Sequence, residues 1–90
     1  MLSRNWRGGG GELDIVVSRN GCLRFVEVKA RAAGDPVGVE SVGSSKQRKL
    51  IGAARAWLSA FEPEVLDMAF MVAFVEADTI HWYDDAFDVE

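Results

Sequence analysis

The two arms of a predicted β-hairpin carry three acids and one lysine. The acids could hold a divalent cation, and the lysine would supply a further positive charge beside it. Glu12 and Asp14 precede the dipeptide Asn20-Gly21, and Glu27 and Lys29 follow it. Asn-Gly between apolar runs predicts a two-residue turn, because both residues tolerate positive φ. Counting outward from this turn places Asp14 opposite Glu27 and Glu12 opposite Lys29, with all four side chains on one face. This arrangement predicts a metal site.

The electrostatics of the predicted pair favour a compensating charge. Carboxylates in directly opposed positions lie about 5 Å apart and, at an effective dielectric constant of about 20, repel each other by roughly 3 kcal/mol. The hairpin is otherwise apolar on both faces, which predicts cover on each side. One face carries Leu13, Ile15, Val17, Val26 and Val28, and the acidic face carries Val16, Leu23 and Phe25. Partly buried carboxylates persist only with a proton, a cation or a basic partner. A surface hairpin end with solvated charges is the alternative explanation.

Length and composition predict one globular domain over residues 1–90, with 49% hydrophobic and 27% charged residues. No apolar run approaches the roughly 20 residues that span a bilayer, so we expect no membrane partner. The single cysteine, Cys22, excludes an internal disulfide and favours a cytoplasmic location. We expect Cys22 to be a small buried residue.

The charge is divided along the chain. All ten Lys and Arg residues lie between Arg4 and Arg55 with five acids, whereas residues 61–90 carry nine acids and no Lys or Arg. Such asymmetry favours polyanion contact by the basic half, and differently charged solvated surfaces are the alternative. A helix is predicted over Lys46 to Phe61, with Ser44 or Ser45 as its N-cap and Glu62-Pro63 at its end. Glu12, Asp14 and Glu27 form an acidic corner of the hairpin. The basic residues of the helix beside this corner could hold a phosphate backbone, or they could only solubilise an exposed face.

The remaining segments complete an α/β pattern. Residues 8–11 are four glycines, which permit a turn or a close backbone approach. Residues 30–45 read as a loop, Met68 to Val75 as a strand buried on both faces, and Thr79 to Tyr83 as an edge strand after a turn at Ala77-Asp78. We expect His81 at an exposed edge position. Trp57 and Trp82 are assigned to core packing, and the terminal acids, from Asp84, to solvent.

Several blocks of the sequence resemble the YraN family of small bacterial proteins. They are Asn5-Trp6-Arg7, Gly11-Glu12-Leu13-Asp14-Ile15, residues 25–31, residues 46–50, and the stretch from Trp82 to Asp85-Ala86-Phe87. That family resembles the restriction-endonuclease-like PD-(D/E)XK superfamily, which includes Holliday-junction resolvases. The resemblance implies an α/β fold with a restriction-endonuclease-like core, in which a mixed sheet is built on the hairpin and one main helix packs on it.

The same resemblance implies roles for individual residues. Asp14 and Glu27 would ligate one or two Mg²⁺ or Mn²⁺ ions, and Lys29 would orient or activate the attacking water. Glu12 would be an accessory acid, and Gln47 a supporting residue on the helix. The basic residues expected to contact nucleic acid are Arg31, Lys46, Arg48, Lys49 and Arg55.

We therefore expect a Mg²⁺-dependent nuclease that hydrolyses phosphodiesters in DNA, including branched or damaged DNA. Hard Mg²⁺ prefers carboxylate oxygens and keeps several waters, which suits these residues. The alternative is a non-catalytic nucleic-acid-binding or protein-interaction module that keeps the nuclease fold.

Two departures from the family pattern support this alternative. Relatives carry a further helix with a glutamate ahead of the Asn-Trp-Arg segment, whereas this sequence starts at Met1, so one sheet face is expected to lack its cover. A truncated start would explain the missing helix. A partner chain, such as a second copy in a homodimer, would cover the exposed face, and without one the stability would be reduced. Relatives also tend to read Arg-Phe-Asp where this chain has Ala69-Phe70-Met71.

Overall fold

A computed structural model describes residues 2–30, 44–76 and 78–84 of the chain. Arg31, most of the predicted loop, Ala77 and the terminal acids from Asp85 onward lie outside these described residues. In the described part, the chain forms five strands and one helix. In chain order they are β1 (Ser3–Gly8), β2 (Gly11–Arg19), β3 (Cys22–Ala30), α1 (Ser44–Phe61), β4 (Asp67–Glu76) and β5 (Thr79–Tyr83).

The strands form a single mixed sheet in the order β1-β2-β3-β4-β5. Neighbouring strands are antiparallel except β3 and β4, which are parallel in a register from Cys22↔Asp67 to Ala30↔Val75. Parallel neighbours need a long crossover, and here the crossover contains α1. The predicted α/β architecture, a mixed sheet built on a hairpin with one packed helix, is confirmed.

The central hairpin has the predicted turn and the predicted register. Asn20 and Gly21 adopt φ angles of 53° and 81°, and Arg19 pairs with Cys22 across the turn. The small side chain of Asn and the missing Cβ of Gly make these left-handed conformations accessible at low cost. The β2–β3 ladder then runs outward as far as the pair Ile15↔Val26.

Helix α1 begins two residues before the predicted start and ends where the sequence indicates. Glu62 adopts a φ of 46°, and its amide donates a hydrogen bond to the carbonyl of Leu58 at 2.8 Å. This is the left-handed C-terminal cap, which satisfies one of the last helical carbonyls, and Pro63 then prevents the helix from continuing. The first turn of α1, at the opposite end, lies at the acidic corner, where Nζ of Lys46 is 2.9 Å from Oε1 of Glu27.

The main core lies between α1 and one face of the sheet. Its largest fully buried side chains include Trp57, Phe25, Phe70 and Phe74, with Phe25 in edge-to-face contact with Trp57. The predicted core position of Trp57 is confirmed, and its indole N–H donates to Oγ of Ser3 at 2.9 Å.

The predicted alternation of β2 is wrong at one point, next to the candidate site. Leu13 and Val16 are three residues apart, yet both belong to the helix-side core. Strict alternation would place them on opposite faces. On the neighbouring strand, Asn5 has a φ of 51° and lies between the pairs Arg4↔Ile15 and Trp6↔Leu13. The strands are therefore locally distorted at Asp14, the residue that stands across from Asn5.

The prediction that both faces of the hairpin are covered is wrong. A row of adjacent residues, Val28, Ala73 and Trp82, crosses three strands on the face opposite α1. Val28 is 42% exposed and Trp82 is 57% exposed, so Trp82 is not a core residue. Among the described elements, α1 is the only helix, and it covers the other face. Ala73 in this row is buried, but the exposure of Val28 and Trp82 agrees with the other expectation, that one face of the sheet lacks its cover.

The C-terminal strands agree with their predictions. Strand β4 is buried over most of its length, and β5 is an exposed edge strand. His81 is exposed there, with Nε2 3.7 Å from Glu76. Cys22, in contrast, is exposed rather than buried, because it occupies the turn end of the hairpin beyond the helix-covered core. No helix in the described ranges is long and apolar enough to cross a membrane.

Candidate active site

The acidic corner forms where β2 and β3 part. The regular ladder ends at Ile15↔Val26, one pair before the predicted Asp14–Glu27 pair. There the backbone amide of Val28 donates a hydrogen bond to Oδ2 of Asp14 at 2.9 Å. This bond ties the Asp14 side chain to the strand that carries Glu27, so the two carboxylates stay near each other although the ladder ends.

Glu27 is the buried acid of the corner. It is 6% exposed, while the other buried residues of the described chain are all hydrophobic. Burial raises the pKa of Glu27, the hydrogen bond from Lys46 lowers it, and the negative charge of Asp14 raises it further. The net pKa shift is upward, so the lysines around Glu27 only partly offset the cost of burying its charge.

Two lysines from different elements approach the same oxygen of Glu27. Nζ of Lys46, in the first turn of α1, lies 2.9 Å from Oε1, and Nζ of Lys29, on β3, lies 4.0 Å from it. The hydrogen bond to Glu27 raises the pKa of Lys46. Burial lowers the pKa of Lys29, and the neighbouring Lys46 lowers it further. The two ammonium groups therefore differ in how readily they release a proton.

The glycine-rich turn brings α1 against the acidic corner. A Cβ on Gly11 would collide with the carbonyl of Lys49, and a Cβ on Gly9 would collide with the carbonyl of Gly52. The turn backbone and the helix backbone are therefore in direct contact, which larger side chains would prevent. Both predicted roles occur: Gly9 and Gly10 form the turn with φ angles of 59° and 83°, and Gly9 and Gly11 permit a close approach, whose partner is the helix rather than the acidic corner.

A cavity of about 490 Å³ opens between the acidic strands and the start of α1. It is lined by Gly11, Glu12, Asp14, Glu27, Ser45, Lys46, Lys49 and Leu50. Strand carboxylates form one side of the cavity and helix ammonium groups form the other. This size is within the range of small-molecule sites and can admit a phosphodiester unit.

The other predicted site residues differ in whether they line the cavity. Glu12 lines it, but its carboxylate is 42% exposed and lies 3.6 Å from Nε of Arg7. Gln47 is half-buried on α1 and is not among the lining residues. Arg48 and Arg55 are exposed on α1 outside the cavity, and Arg31 is beyond the described residues.

The donor set limits which metal could bind. No group of three or more His, Cys, Asp or Glu residues that could hold a metal occurs within residues 2–30, 44–76 and 78–84. A zinc site built from several protein ligands is therefore unsupported there. Mg²⁺, and Mn²⁺ with similar oxygen ligands, are commonly held by one or two carboxylates together with water and substrate phosphates. Asp14 and Glu27 fit that type of ion.

Sequence reasoning missed ionic contacts at two places in the sheet. The contact of Lys46 with Glu27 was missed because the position of α1 relative to β3 is a tertiary feature. The second lies at the other end of the sheet, where Arg24 makes salt bridges of 2.9 Å to Asp67 and 2.8 Å to Asp84. Asp84 was predicted to be a solvated terminal acid, but this contact gives it a partner. A polar Arg within an apolar strand was the available signal.

The chain has many relatives among known bacterial proteins. A UPF0102 protein of Gloeobacter violaceus is 48% identical over 82 residues, which cover 87% of this chain and 64% of the relative. One from a Synechococcus strain is 48% identical over 80 residues, covering 84% of this chain and 60% of the relative. A UPF0102 protein of Ralstonia pickettii is 39% identical over 95 aligned residues, which cover 100% of this chain and 76% of the relative.

These matches agree with the resemblance seen in the sequence blocks. The chain spans less than two thirds of the length of the first two relatives. The description of the matching family, over residues 1–89, is "Uncharacterised protein family UPF0102". The chain therefore belongs to the UPF0102 family, the YraN proteins.

Proposed function

We propose that this protein is a Mg²⁺-dependent nuclease that hydrolyses phosphodiester bonds in DNA, including branched or damaged DNA. The observation that carries the proposal is that Asp14 and Glu27 line one cavity together with Lys46 and Lys49. Carboxylates that bind a cation and ammonium groups that bind phosphate are the two kinds of group that phosphodiester hydrolysis needs.

The charges around the cavity suit a divalent cation and an anionic substrate together. Three acids and two lysines line it. Together these side chains carry a net charge of about −1, which a divalent cation and one singly charged phosphodiester would jointly bring to zero. The upward pKa shift of Glu27 indicates that its negative charge is still incompletely compensated by the chain.

A Mg²⁺ ion bound by Asp14 and Glu27 would polarise the phosphate and lower the pKa of a bound water. The chain's own residues contribute the rest. Lys46 and Lys49 hold the phosphate in place, and the hydrogen bond from Val28 holds Asp14 in position. Lys29 is not among the residues that line the cavity, but its Nζ lies 4.0 Å from Oε1 of Glu27, so it would help to orient the attacking water through this carboxylate.

The distribution of charge supports nucleic acid as the substrate class. Lys46 and Lys49 line the cavity, whereas Arg48 and Arg55 are exposed about half a turn around α1 from Lys46 and add positive charge outside the cavity. A cationic helix at the cavity favours an anionic polymer, because proteins position nucleic acid through its phosphates.

The proposal is tested by incubating supercoiled plasmid, single-stranded DNA and a four-way junction with the protein and Mg²⁺ or Mn²⁺. We expect cleavage of at least one substrate, abolished by EDTA and reduced at least about 100-fold in Asp14→Asn and Glu27→Gln. Glu64→Gln, which removes an exposed acid distant in sequence from the site, is the control and should retain activity. Cleavage that survives both site substitutions would overturn the proposal.

The alternative function, a non-catalytic binding module, is favoured by one specific observation. Glu27 already has two ammonium groups near it without any metal. Salt-dependent DNA binding that never leads to cleavage would support nucleic-acid binding alone. Failure to bind DNA even at low salt would leave a protein-interaction role.

A further inference from the structure

The ammonium group of Lys46 lies against one oxygen of Glu27, the carboxylate that the proposed metal ion would use. Its Nζ lies 2.9 Å from Oε1 of Glu27, close enough for a charge-assisted hydrogen bond. A Mg²⁺ ligated by the same oxygen would lie about 2.0–2.1 Å from it. Two cations that compete for one carboxylate oxygen at such distances repel each other strongly.

The anchoring of Lys46 allows it to leave this place. Its backbone is in the first turn of α1, which is fixed against the sheet by Leu50 and by the contact of Gly11 with Lys49. Its side chain, however, is 45% exposed, compared with 8% for the Glu27 side chain. A long, half-exposed lysine can change rotamer while the helix stays in place.

We propose that Lys46 is the resident counter-ion of Glu27, that it yields this position to a divalent cation, and that its released ammonium group then binds the substrate phosphate. The inference rests on the proposed metal-dependent nuclease function. It assigns to one residue two successive partners, Glu27 in the metal-free protein and phosphate in the loaded protein.

Lys46 suits this role better than the other two nearby lysines. Lys29 is farther from Oε1, at 4.0 Å, and its side chain is only 24% exposed, which leaves it less freedom to move. Lys49 lines the cavity, but the ion pairs of Glu27 within the described ranges involve Lys46 and Lys29. Lys49 is therefore a matched control, on the same helix and at the same cavity.

The test is calorimetric titration of Mn²⁺ into the DNA-free protein at about pH 7.5, where carboxyl groups are ionised. We expect Lys46→Met to bind Mn²⁺ roughly three- to tenfold more tightly than wild type, because metal no longer competes with the partly exposed ion pair. Lys49→Met should stay within about twofold of wild type. Equal tightening in both variants would indicate a general charge effect and would overturn the proposal, as would unchanged or weaker binding in Lys46→Met.

A second measurement tests whether Lys46, once released from Glu27, binds the substrate phosphate. It also provides a substitute variant in case Lys46→Met does not fold. With Mn²⁺ saturating and a non-cleavable DNA analogue as the probe, Lys46→Met should bind the DNA at least about threefold more weakly than wild type. If Lys46→Met is too unstable to titrate, Lys46→Gln is used, and its Mn²⁺-induced rise in Tm should exceed that of wild type. A smaller rise would contradict displacement.

The outcome is distinguishable from failure of the nuclease proposal because the titration contains no DNA. Tighter Mn²⁺ binding in Lys46→Met without cleavage by wild type would overturn the nuclease and keep the displacement. Cleavage by wild type with unchanged Mn²⁺ affinity in Lys46→Met would overturn the displacement alone. Absence of Mn²⁺ binding in every variant would overturn the displacement together with the metal site.

Discussion

The backbone amide of Val28 donates a hydrogen bond to Oδ2 of Asp14 at 2.9 Å, across two strands whose regular ladder has already ended. A side chain thereby replaces the backbone as the link between β2 and β3. This link keeps one acid of the candidate site beside the strand that supplies the other, and it makes Asp14 a structural residue as well as a candidate ligand.

Removal of this acceptor should destabilise the protein. We expect Asp14→Ala to lower the free energy of unfolding by about 1 kcal/mol, because the amide of Val28 loses its partner. Asp14→Asn keeps an acceptor oxygen and removes a negative charge near Glu27, so it should stay within about 0.5 kcal/mol of wild type. Urea denaturation of the three proteins measures this difference. Equal losses in both variants would show that the hydrogen bond is unimportant.

The raised pKa of Glu27 predicts a dependence of stability on pH. A carboxyl whose pKa is higher in the folded state binds more protons there, so its ionisation costs stability as pH rises above its ordinary value of about 4.5. Glu27→Gln lacks this cost. We expect the variant to be more stable than wild type at neutral pH, with a difference that shrinks as pH falls towards 4.5.

Thermal unfolding from acidic to neutral pH tests this dependence. Glu64→Gln, at an exposed position, shows how much of any difference comes from the lost net charge alone. A Glu27→Gln variant that is less stable than wild type at neutral pH would mean that Lys46 and Lys29 more than compensate the buried charge.

Arg24 should stabilise the far end of the sheet. It joins β3 to Asp67 on β4 and to Asp84 after β5, and its side chain is only 18% exposed. We expect Arg24→Met to lower the free energy of unfolding by about 1–2 kcal/mol. The effect is limited because both partner carboxylates are more than half exposed, so solvent screens their charges. Arg55→Met, at an exposed helix position, should have little effect. A salt titration should reduce the difference between Arg24→Met and wild type.

Alanine substitutions at two positions of the glycine turn distinguish the cost of a steric clash from the cost of an unfavourable backbone conformation. At Gly11 a Cβ would collide with the carbonyl of Lys49, whereas at Gly10 it would meet nothing within 4 Å but would require a φ of 83°. Gly10→Ala should therefore cost about 1–2 kcal/mol from conformation alone. Gly11→Ala should cost more, and it should also displace the first turns of α1 from the acidic corner. Chemical denaturation gives both costs, and a smaller loss for Gly11→Ala would contradict the close packing of turn and helix.

Features controlled by local chemistry could be predicted from the sequence. The Asn20-Gly21 turn predicted the hairpin register, and Glu62-Pro63 predicted the end of α1, because these signals act within a few residues. The register also predicted Asp14 directly opposite Glu27, but the ladder ends at Ile15↔Val26, and the hydrogen bond from Val28 holds Asp14 beside β3 instead.

The residue pattern of the hairpin alone predicted cover on both faces, and only the comparison with the family pattern predicted an uncovered one. Trp82 and Val28 have side chains typical of a core, yet they are exposed because no described helix packs on their face. Cys22 is exposed because of its position at the turn end. The contact between Lys46 and Glu27 depends on a helix that returns over the sheet after a long connection, and no local pattern encodes that distance.

The central claim is that Asp14 and Glu27 together bind a divalent cation that supports phosphodiester hydrolysis. A crystal of the protein soaked in Mn²⁺ tests the binding most directly, because the ion can be located by its anomalous scattering. We predict anomalous density between the carboxylates of Asp14 and Glu27, with Nζ of Lys46 moved away from Oε1 of Glu27. A soaked crystal with no density at this position, and with Lys46 still paired to Glu27, would contradict the account.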